Sequence, residues 1–509
     1  MRFSFHLYGK VTLSLVFSMS FCHNLLAKLS PENTRPNVLF IIVDDLKPLL
    51  GCYEDPLAKT PNIDRLAENG MVFQHAYCAQ AICGPSRASI LTGMRPDNIR
   101  TWFMNQNSEY KLFRELNPGI ITLPQLFKEN GYTSIGVGKV FDTRNLTPEE
   151  DSISWSRKPA YFDAEGVAYA LRRQLPDSGR FNPRYNGFRP SMERAEVDDE
   201  VYFDGMIAKR AVEFLNEFAA TGKPFFLAVG FRRPHLPFTA PAKYWNMYDR
   251  DTFRTAVFRE RAEGSPRYAY HNFKELRSYK DIPDDGPLDD ARQLELIHAY
   301  YACVSFIDAQ VGKILNQLER TEMARNTIVV LMGDHGWHLG DHGLWCKLTN
   351  FEESTRVPLI IAAPSAGVHG AISTSLVELT DVYPTLADLA GIAIPQEKDG
   401  TSLVPVLDDP VAEIKPVAIS QFPRGKVMGY SYRSKRYRYV VWVEKDAAAG
   451  GPNGKTLARE LYDYVWDPLE RKNLVNEPEY GKIVDRFSRV ADGTYRAVSS
   501  HIDFDQMDE

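Results

Sequence analysis

Along this chain the apolar residues gather into short unbroken runs, and two of the runs are closed by paired polar groups. Val38-Leu39-Phe40-Ile41-Ile42-Val43 leads straight into Asp44-Asp45. Thr327-Ile328-Val329-Val330-Leu331-Met332 leads into Gly333-Asp334-His335-Gly336. Apolar runs without polar alternation belong to strands buried on both faces, as in parallel sheets covered by helices. Ser134–Gly138, Phe225–Val229 and Leu359–Ala362 read as further strands of this type. Helical stretches over 59–70, 121–130, 203–220, 291–319 and 376–391 separate them. The predicted fold is therefore α/β, a large mostly parallel sheet flanked by helices. In such sheets ligands bind beyond the C-terminal strand ends, which marks Asp44, Asp45, Asp334 and His335 as candidate site residues. Regions 145–200 and 240–290, rich in Arg, Asp, Tyr and Pro, read as insertions over the sheet. From about residue 425 the texture changes to an alternation of aromatic and polar residues, Tyr430-Ser431-Tyr432-Arg433 and Tyr437-Arg438-Tyr439. That pattern predicts a small C-terminal antiparallel subdomain.

The start of the chain differs from the rest. Arg2 and Lys10 precede an apolar run from Val11 to Phe21, and small or apolar residues follow to Ala27. This is the layout of a secretory signal peptide, with Phe21 too bulky to make Cys22 a good lipidation site. The organisation read from sequence is a signal peptide over 1–27, a catalytic domain over 28–425 and a C-terminal α+β subdomain over 426–509. The signal-type start predicts an exported protein, and no later stretch is long and apolar enough to span a membrane. Six cysteines, at 22, 52, 78, 83, 303 and 346, do not form a disulfide framework. The formal net charge of −6 argues against gathering nucleic acid or another polyanion through the overall field. An anionic substrate then needs basic residues concentrated in one pocket, which favours a small exo-type site.

Cys83-Gly84-Pro85-Ser86-Arg87 is the most informative segment. Pro85 and Ser86 suit a helix start and Gly93 suits its end. Cys83 is thereby placed at a helix N-terminus, where free N–H groups and the dipole favour an anion. Asp44, Asp45, Asp334 and His335 offer an oxygen-rich set for Ca²⁺ or Mg²⁺.

Taken together, Cys83 to Arg87 and the two acidic strand ends resemble the sulfatases of the alkaline phosphatase superfamily, most closely the iduronate-2-sulfatase branch. Further matching strings are Thr60-Pro61-Asn62-Ile63-Asp64-Arg65, Gly138-Lys139-Val140-Phe141, Pro234-His235-Leu236-Pro237, Trp345-Cys346-Lys347 and Ser420-Gln421-Phe422-Pro423-Arg424. The resemblance covers nearly the whole mature chain. It implies that a maturation enzyme oxidises Cys83 to formylglycine. It implies that Asp44, Asp45, Asp334 and His335 hold Ca²⁺ beside that residue, and that Arg87 stabilises it. Lys139, His235 and Lys347 match residues that contact the sulfate, with His235 as general acid. The implied reaction is attack of the hydrated aldehyde on sulfur, loss of the sugar alcohol, then release of sulfate as the aldehyde re-forms. The implied substrate is a sulfated saccharide carrying a 2-O-sulfate on a terminal hexuronate, and the implied location is periplasmic or at the cell surface. The alternatives are a phosphate or phosphonate ester hydrolase of the same superfamily, or an inactive sulfated-glycan-binding protein.

One position departs from the pattern. Asp142 stands where these enzymes carry a His that serves the elimination step. Asp142 taking over as base, a nearby His compensating, impaired turnover and a solvent-facing Asp142 all remain open. Arg233 is a candidate contact for a uronate carboxylate or a solvated surface residue. Trp337 and Trp345 are candidates for a sugar face or for the core. His338 and His342 read as pocket-wall or loop residues ahead of a second metal site. The Arg/Tyr strip over 430–439 reads as sheet surface ahead of a nucleic-acid stacking strip.

Overall fold

The computed structural model describes residues 35–104, 113–147, 151–160, 169–170, 190–445 and 454–492. The signal-peptide reading over 1–27 lies outside the described residues. The main sheet has eight strands: β1 Asn37–Val43, β2 Met71–Tyr77, β3 Thr133–Gly138, β4 Phe225–Phe231, β5 Thr327–Gly333, β6 Arg356–Val357, β7 Leu359–Ala362 and β8 Ala371–Glu378. Their order is β6-β2-β7-β5-β1-β4-β3, with β8 also pairing β2. Pairings β5/β1, β1/β4, β4/β3 and β2/β8 are parallel, whereas β7 runs antiparallel to both β5 and β2. The sheet is thus mixed but mostly parallel, as its apolar runs predict.

Every residue of β1 from Val38 to Val43 is fully buried. Strand alternation sends Leu39, Ile41 and Val43 into one apolar layer, with the helices Phe203–Thr221 and Asp290–Arg320. Val38, Phe40 and Ile42 enter the opposite layer, which holds Ala88, Ile90 and Leu91 of the helix Cys83–Thr92. The sheet is consequently covered on both faces, and the Cys83 helix belongs to its core.

Three strands of this sheet fall outside the sequence reading: the two-residue β6, β2 and β8. β2, with Gln74 and His75 mid-strand, lacks a continuous apolar run. β8 occupies the start of the predicted helix 376–391, and the helix there begins at Val382 and ends at Leu389. The small antiparallel sheet comprises Ala418–Arg424, Val427–Arg433, Tyr437–Glu444 and Thr456–Asp463 in that order. Its first strand lies ahead of the change in texture at 425. Tyr430, Tyr432, Tyr437 and Tyr439 pack inward with Phe487 of the helix Gly481–Asp492, and Arg433 and Arg438 are buried too, so this strip is core; the sheet-surface reading is corrected and no stacking surface is offered. Cys52, Cys78, Cys83, Cys303 and Cys346 are all free thiols. Among the described residues no helix is long and apolar enough to cross a membrane.

Candidate active site

Four neighbouring parallel strands end on one side of the sheet, and each delivers functional groups. β5 supplies Asp334 and His335, β1 supplies Asp44 and Asp45, β4 leads to Arg233 and His235, and β3 leads to Lys139. The ends of β3 and β4 touch so closely that a Cβ on Gly230 would lie 1.9 Å from the Lys139 carbonyl oxygen. Glycine there lets the Lys139 and His235 loops share one cleft.

The helix Cys83–Thr92 points its N-terminus into this cleft. All ten of its residues are buried, Ile82 provides no side-chain cap, and Gly93 ends it at φ 65°. Spacing i, i+4 puts Cys83 and Arg87 on one helix face, which explains why the pentapeptide needs arginine at its last position. Arg87 donates from Nε to Asp334 Oδ2 at 2.8 Å and from Nη2 to Asp44 Oδ1 at 3.1 Å. Lys139 Nζ reaches Asp44 Oδ2 at 2.6 Å, and Lys347 Nζ reaches both oxygens of Asp45 at 2.9 and 3.1 Å. Burial pushes the Asp44 carboxyl up, but Lys139 and Arg87 outweigh it and hold Asp44 well below the usual range. Burial likewise raises the Cys83 thiol, so the unmodified cysteine is a poor nucleophile.

Lys347 lies on a strained segment. Cys346 and Leu348 on either side of it have φ 75° and 77°, and Asp45 has φ 62°. Left-handed backbone at non-glycine residues gathers where surroundings force a side chain into a working position. The Trp337 ring lies 4.9 Å from Lys347 Nζ and is wholly buried, as is Trp345 nearly so; both are core residues and neither presents a sugar face. His338 bonds Thr349 at 2.9 Å and His342 stacks on Phe351, both outside the cleft lining.

His235 Nδ1 lies 2.6 Å from the Leu236 carbonyl and Nε2 lies 3.0 Å from Glu275 Oε1. Both nitrogens face acceptors, so each carries a proton in this arrangement. Burial and Lys347 push its pKa down, yet Asp45, Asp44 and Glu275 lift it to about 10. Glu275 also accepts from Lys347 at 3.1 Å. It therefore sits between two of the cations expected to bind sulfate. No motif announces Glu275, which comes from the loop-rich region 240–290. Arg233 is buried and donates to Thr239 Oγ1 at 3.0 Å and to the His235 carbonyl at 2.8 Å. These contacts brace the His235 loop, and the solvated-surface reading is set aside.

Asp142 is 2% exposed, which overturns the solvent-facing reading. Its oxygens accept from Arg144 Nε at 2.8 Å and Nη2 at 2.7 Å, and Lys139 Nζ lies 3.5 Å away. Burial raises the Asp142 carboxyl, but Arg144 and Lys139 outweigh that and hold it far below the usual range. A carboxylate so held is a weak base. An imidazole does touch Cys83: His335 Nε2 lies 3.3 Å from Sγ.

Ligand atoms of Asp44, Asp45, Cys83 and His335 all lie within 4.8 Å of one another and all four residues are buried. Asp334 is turned differently: its Oδ1 accepts from the Asp45 and His335 backbone amides at 3.0 Å each, and Oδ2 from Arg87. The carboxylates and imidazole suit a hard divalent cation, whereas the thiol is a soft ligand. An oxygen-bearing side chain at position 83 completes the fit.

The family profile described as "Sulfatase" matches residues 36–392, and one described as "N-sulphoglucosamine sulphohydrolase, C-terminal" matches 340–492. Iduronate 2-sulfatase of Homo sapiens is 33% identical over 93% of this chain and 98% of that protein. A solved structure described as a 2-O GAG sulfatase superposes with TM-score 0.65 at 25% identity, covering 90% of this chain and 92% of that one. A phosphonate monoester hydrolase from Silicibacter pomeroyi superposes with TM-score 0.69 at 22% identity, over 89% and 94% of the two chains, and shares the fold.

Proposed function

We propose, from the premise that this chain belongs to the sulfatase family and is a sulfuric ester hydrolase, that it removes the 2-O-sulfate of a terminal hexuronate from a sulfated saccharide. The observation carrying this reading is the convergence of Cys83, Lys139, His235 and Lys347 on one cleft of about 800 Å³, large enough for a sugar residue. The relative iduronate 2-sulfatase and the 2-O GAG sulfatase support the position of the ester.

Asp44, Asp45 and His335 would hold a divalent cation, proposed as Ca²⁺, beside formylglycine made from Cys83 by a maturation enzyme, and Asp334, turned here toward Arg87 and two backbone amides, would add its charge to the set; these groups would supply a Lewis acid and a hydrated-aldehyde nucleophile. Lys139 and Lys347 bind the sulfate oxygens and spread the charge that builds on them. His235 hands the proton on Nε2 to the departing sugar oxygen. Arg87 holds Asp44 and Asp334 in place and keeps their buried charge balanced. Export to the periplasm or cell surface fits the Arg2–Ala27 segment and a saccharide substrate.

The phosphate or phosphonate ester reading shares the same fold. Matched aryl sulfate and aryl phosphate esters separate the two. Matured protein is expected to favour the sulfate by at least about 100-fold in kcat/KM, about 2.7 kcal/mol in transition-state binding. Preference for the phosphate would contradict the proposal. The cation assignment has its own readout in thermal unfolding. Ca²⁺ at about 100 times its Kd is expected to stabilise the fold by about 2.7 kcal/mol, reversed by chelation.

A further inference from the structure

Cations crowd the cleft, yet most are already committed. Lys139 is bound to Asp44, Lys347 to Asp45 and Glu275, and Arg233 to Thr239 and the His235 carbonyl. Arg232 lies over the Phe203 ring, 4.3 Å from its centroid. Lys274 is exposed on a flexible stem. Arg144 is different. Asp142 grips one edge of its guanidinium through Nε and Nη2, while Arg144 lines the cleft with its side chain 41% exposed. Among the described residues its Nη1 has no partner. Its planar head is thus fixed in orientation with one donor edge open, the geometry that arginine uses for carboxylates.

We infer that Arg144 is a specificity-determining residue that binds the carboxylate of the sulfated uronate, with Asp142 as the positioning residue that aims it. The inference rests on the 2-O-uronate reading above. It also accounts for the aspartate at 142. Alone, a carboxylate 3.5 Å from Lys139 would oppose a bound sulfate, but the Asp142–Arg144 fork is a neutral unit. The fork turns a position near the scissile group into a recognition element. Arg144 reaches it only because residues 142 and 144 fold back on one another, with the Arg144 amide also donating to Asp142 Oδ1 at 3.1 Å.

The test is calorimetric binding of a 2-O-sulfated uronate disaccharide and its carboxyl-reduced counterpart in Ca²⁺-containing buffer. The protein is the full chain with Cys83→Ala, which prevents turnover, with and without Arg144→Gln. Arg144→Gln is expected to weaken the uronate about tenfold and the reduced sugar by less than about twofold. Because that change strands the Asp142 carboxylate, the double variant Asp142→Asn/Arg144→Gln is measured beside it and is expected to show the same selective loss. Equal weakening of both ligands in both variants, or of neither, overturns the role of Arg144 alone. Binding of 6-O- or N-sulfated disaccharides with no binding of the 2-O-sulfated uronate overturns the substrate reading, and this inference with it.

Discussion

Replacing Cys83 with alanine is expected to reduce sulfate release by at least about 10⁴-fold while leaving the fold intact, as loss of a covalent nucleophile does. The reason lies in where the residue sits. Cys83 is fully buried at the first turn of an uncapped helix and His335 Nε2 approaches it at 3.3 Å. Among the described residues, most of the charged groups that line the cleft are already engaged. Lys139, His235 and Lys347 are cations committed to carboxylates, and Asp142 is held by Arg144. The side chain at position 83 is small, so alanine leaves a void of one sulfur atom and costs stability at the low end of core truncations. Rates are compared after mass spectrometry has shown that the parent chain is matured. Residual activity within tenfold of the parent would mean that another group attacks sulfur.

Arg87→Met is expected to lower unfolding free energy by about 3–5 kcal/mol in metal-free buffer, the range for removing one partner of a buried ion pair. Arg87 is wholly buried and serves both Asp334 at 2.8 Å and Asp44 at 3.1 Å. It also donates to the Lys139 carbonyl, which ties the helix to the end of β3. Methionine keeps much of the volume and removes five donors, leaving two carboxylates in the core with less compensation. Under the proposed cation assignment Ca²⁺ would supply positive charge at the same carboxylates, so it is expected to restore more stability to Arg87→Met than to the parent chain. Urea unfolding with Ca²⁺ and with chelator measures both effects. A loss below about 1 kcal/mol, as at a solvent-screened surface pair, would contradict the electrostatic account.

Much of the site can be read from sequence because a single physical rule places it. Buried parallel strands need unbroken apolar runs, and the first polar residues after each run fall at the ligand-binding edge. Asp44, Asp45, Asp334 and His335 follow from that rule, helix start and stop signals place Cys83 at a helix N-terminus, and Arg87 comes from the family resemblance. β2 and β8 escape it, since Gln74, His75 and the Ser373–Ser375 stretch break their apolar patterns. Glu275 escapes because its role arises only when a loop from the 240–290 region is packed against His235 and Lys347. Asp142 is visible as a departure, but its meaning depends on Arg144, two residues on in a turn that belongs to neither helix nor strand. Arg233 lines the cleft as its chemistry suggests, and its bonds to Thr239 Oγ1 and the His235 carbonyl are visible only in the packed structure.

On the proposed reading the chain is a sulfate ester hydrolase selective for the 2-O-position of a terminal uronate. The most direct test co-expresses the chain with a formylglycine-generating enzyme and measures sulfate released from 2-O-, 6-O- and N-sulfated disaccharides by ion chromatography, with Cys83→Ala as control. Cys83-dependent release confined to the 2-O-sulfated uronate is the predicted result. Release from the 6-O- or N-sulfated sugars alone, or none at all from protein whose aldehyde is verified, would contradict it.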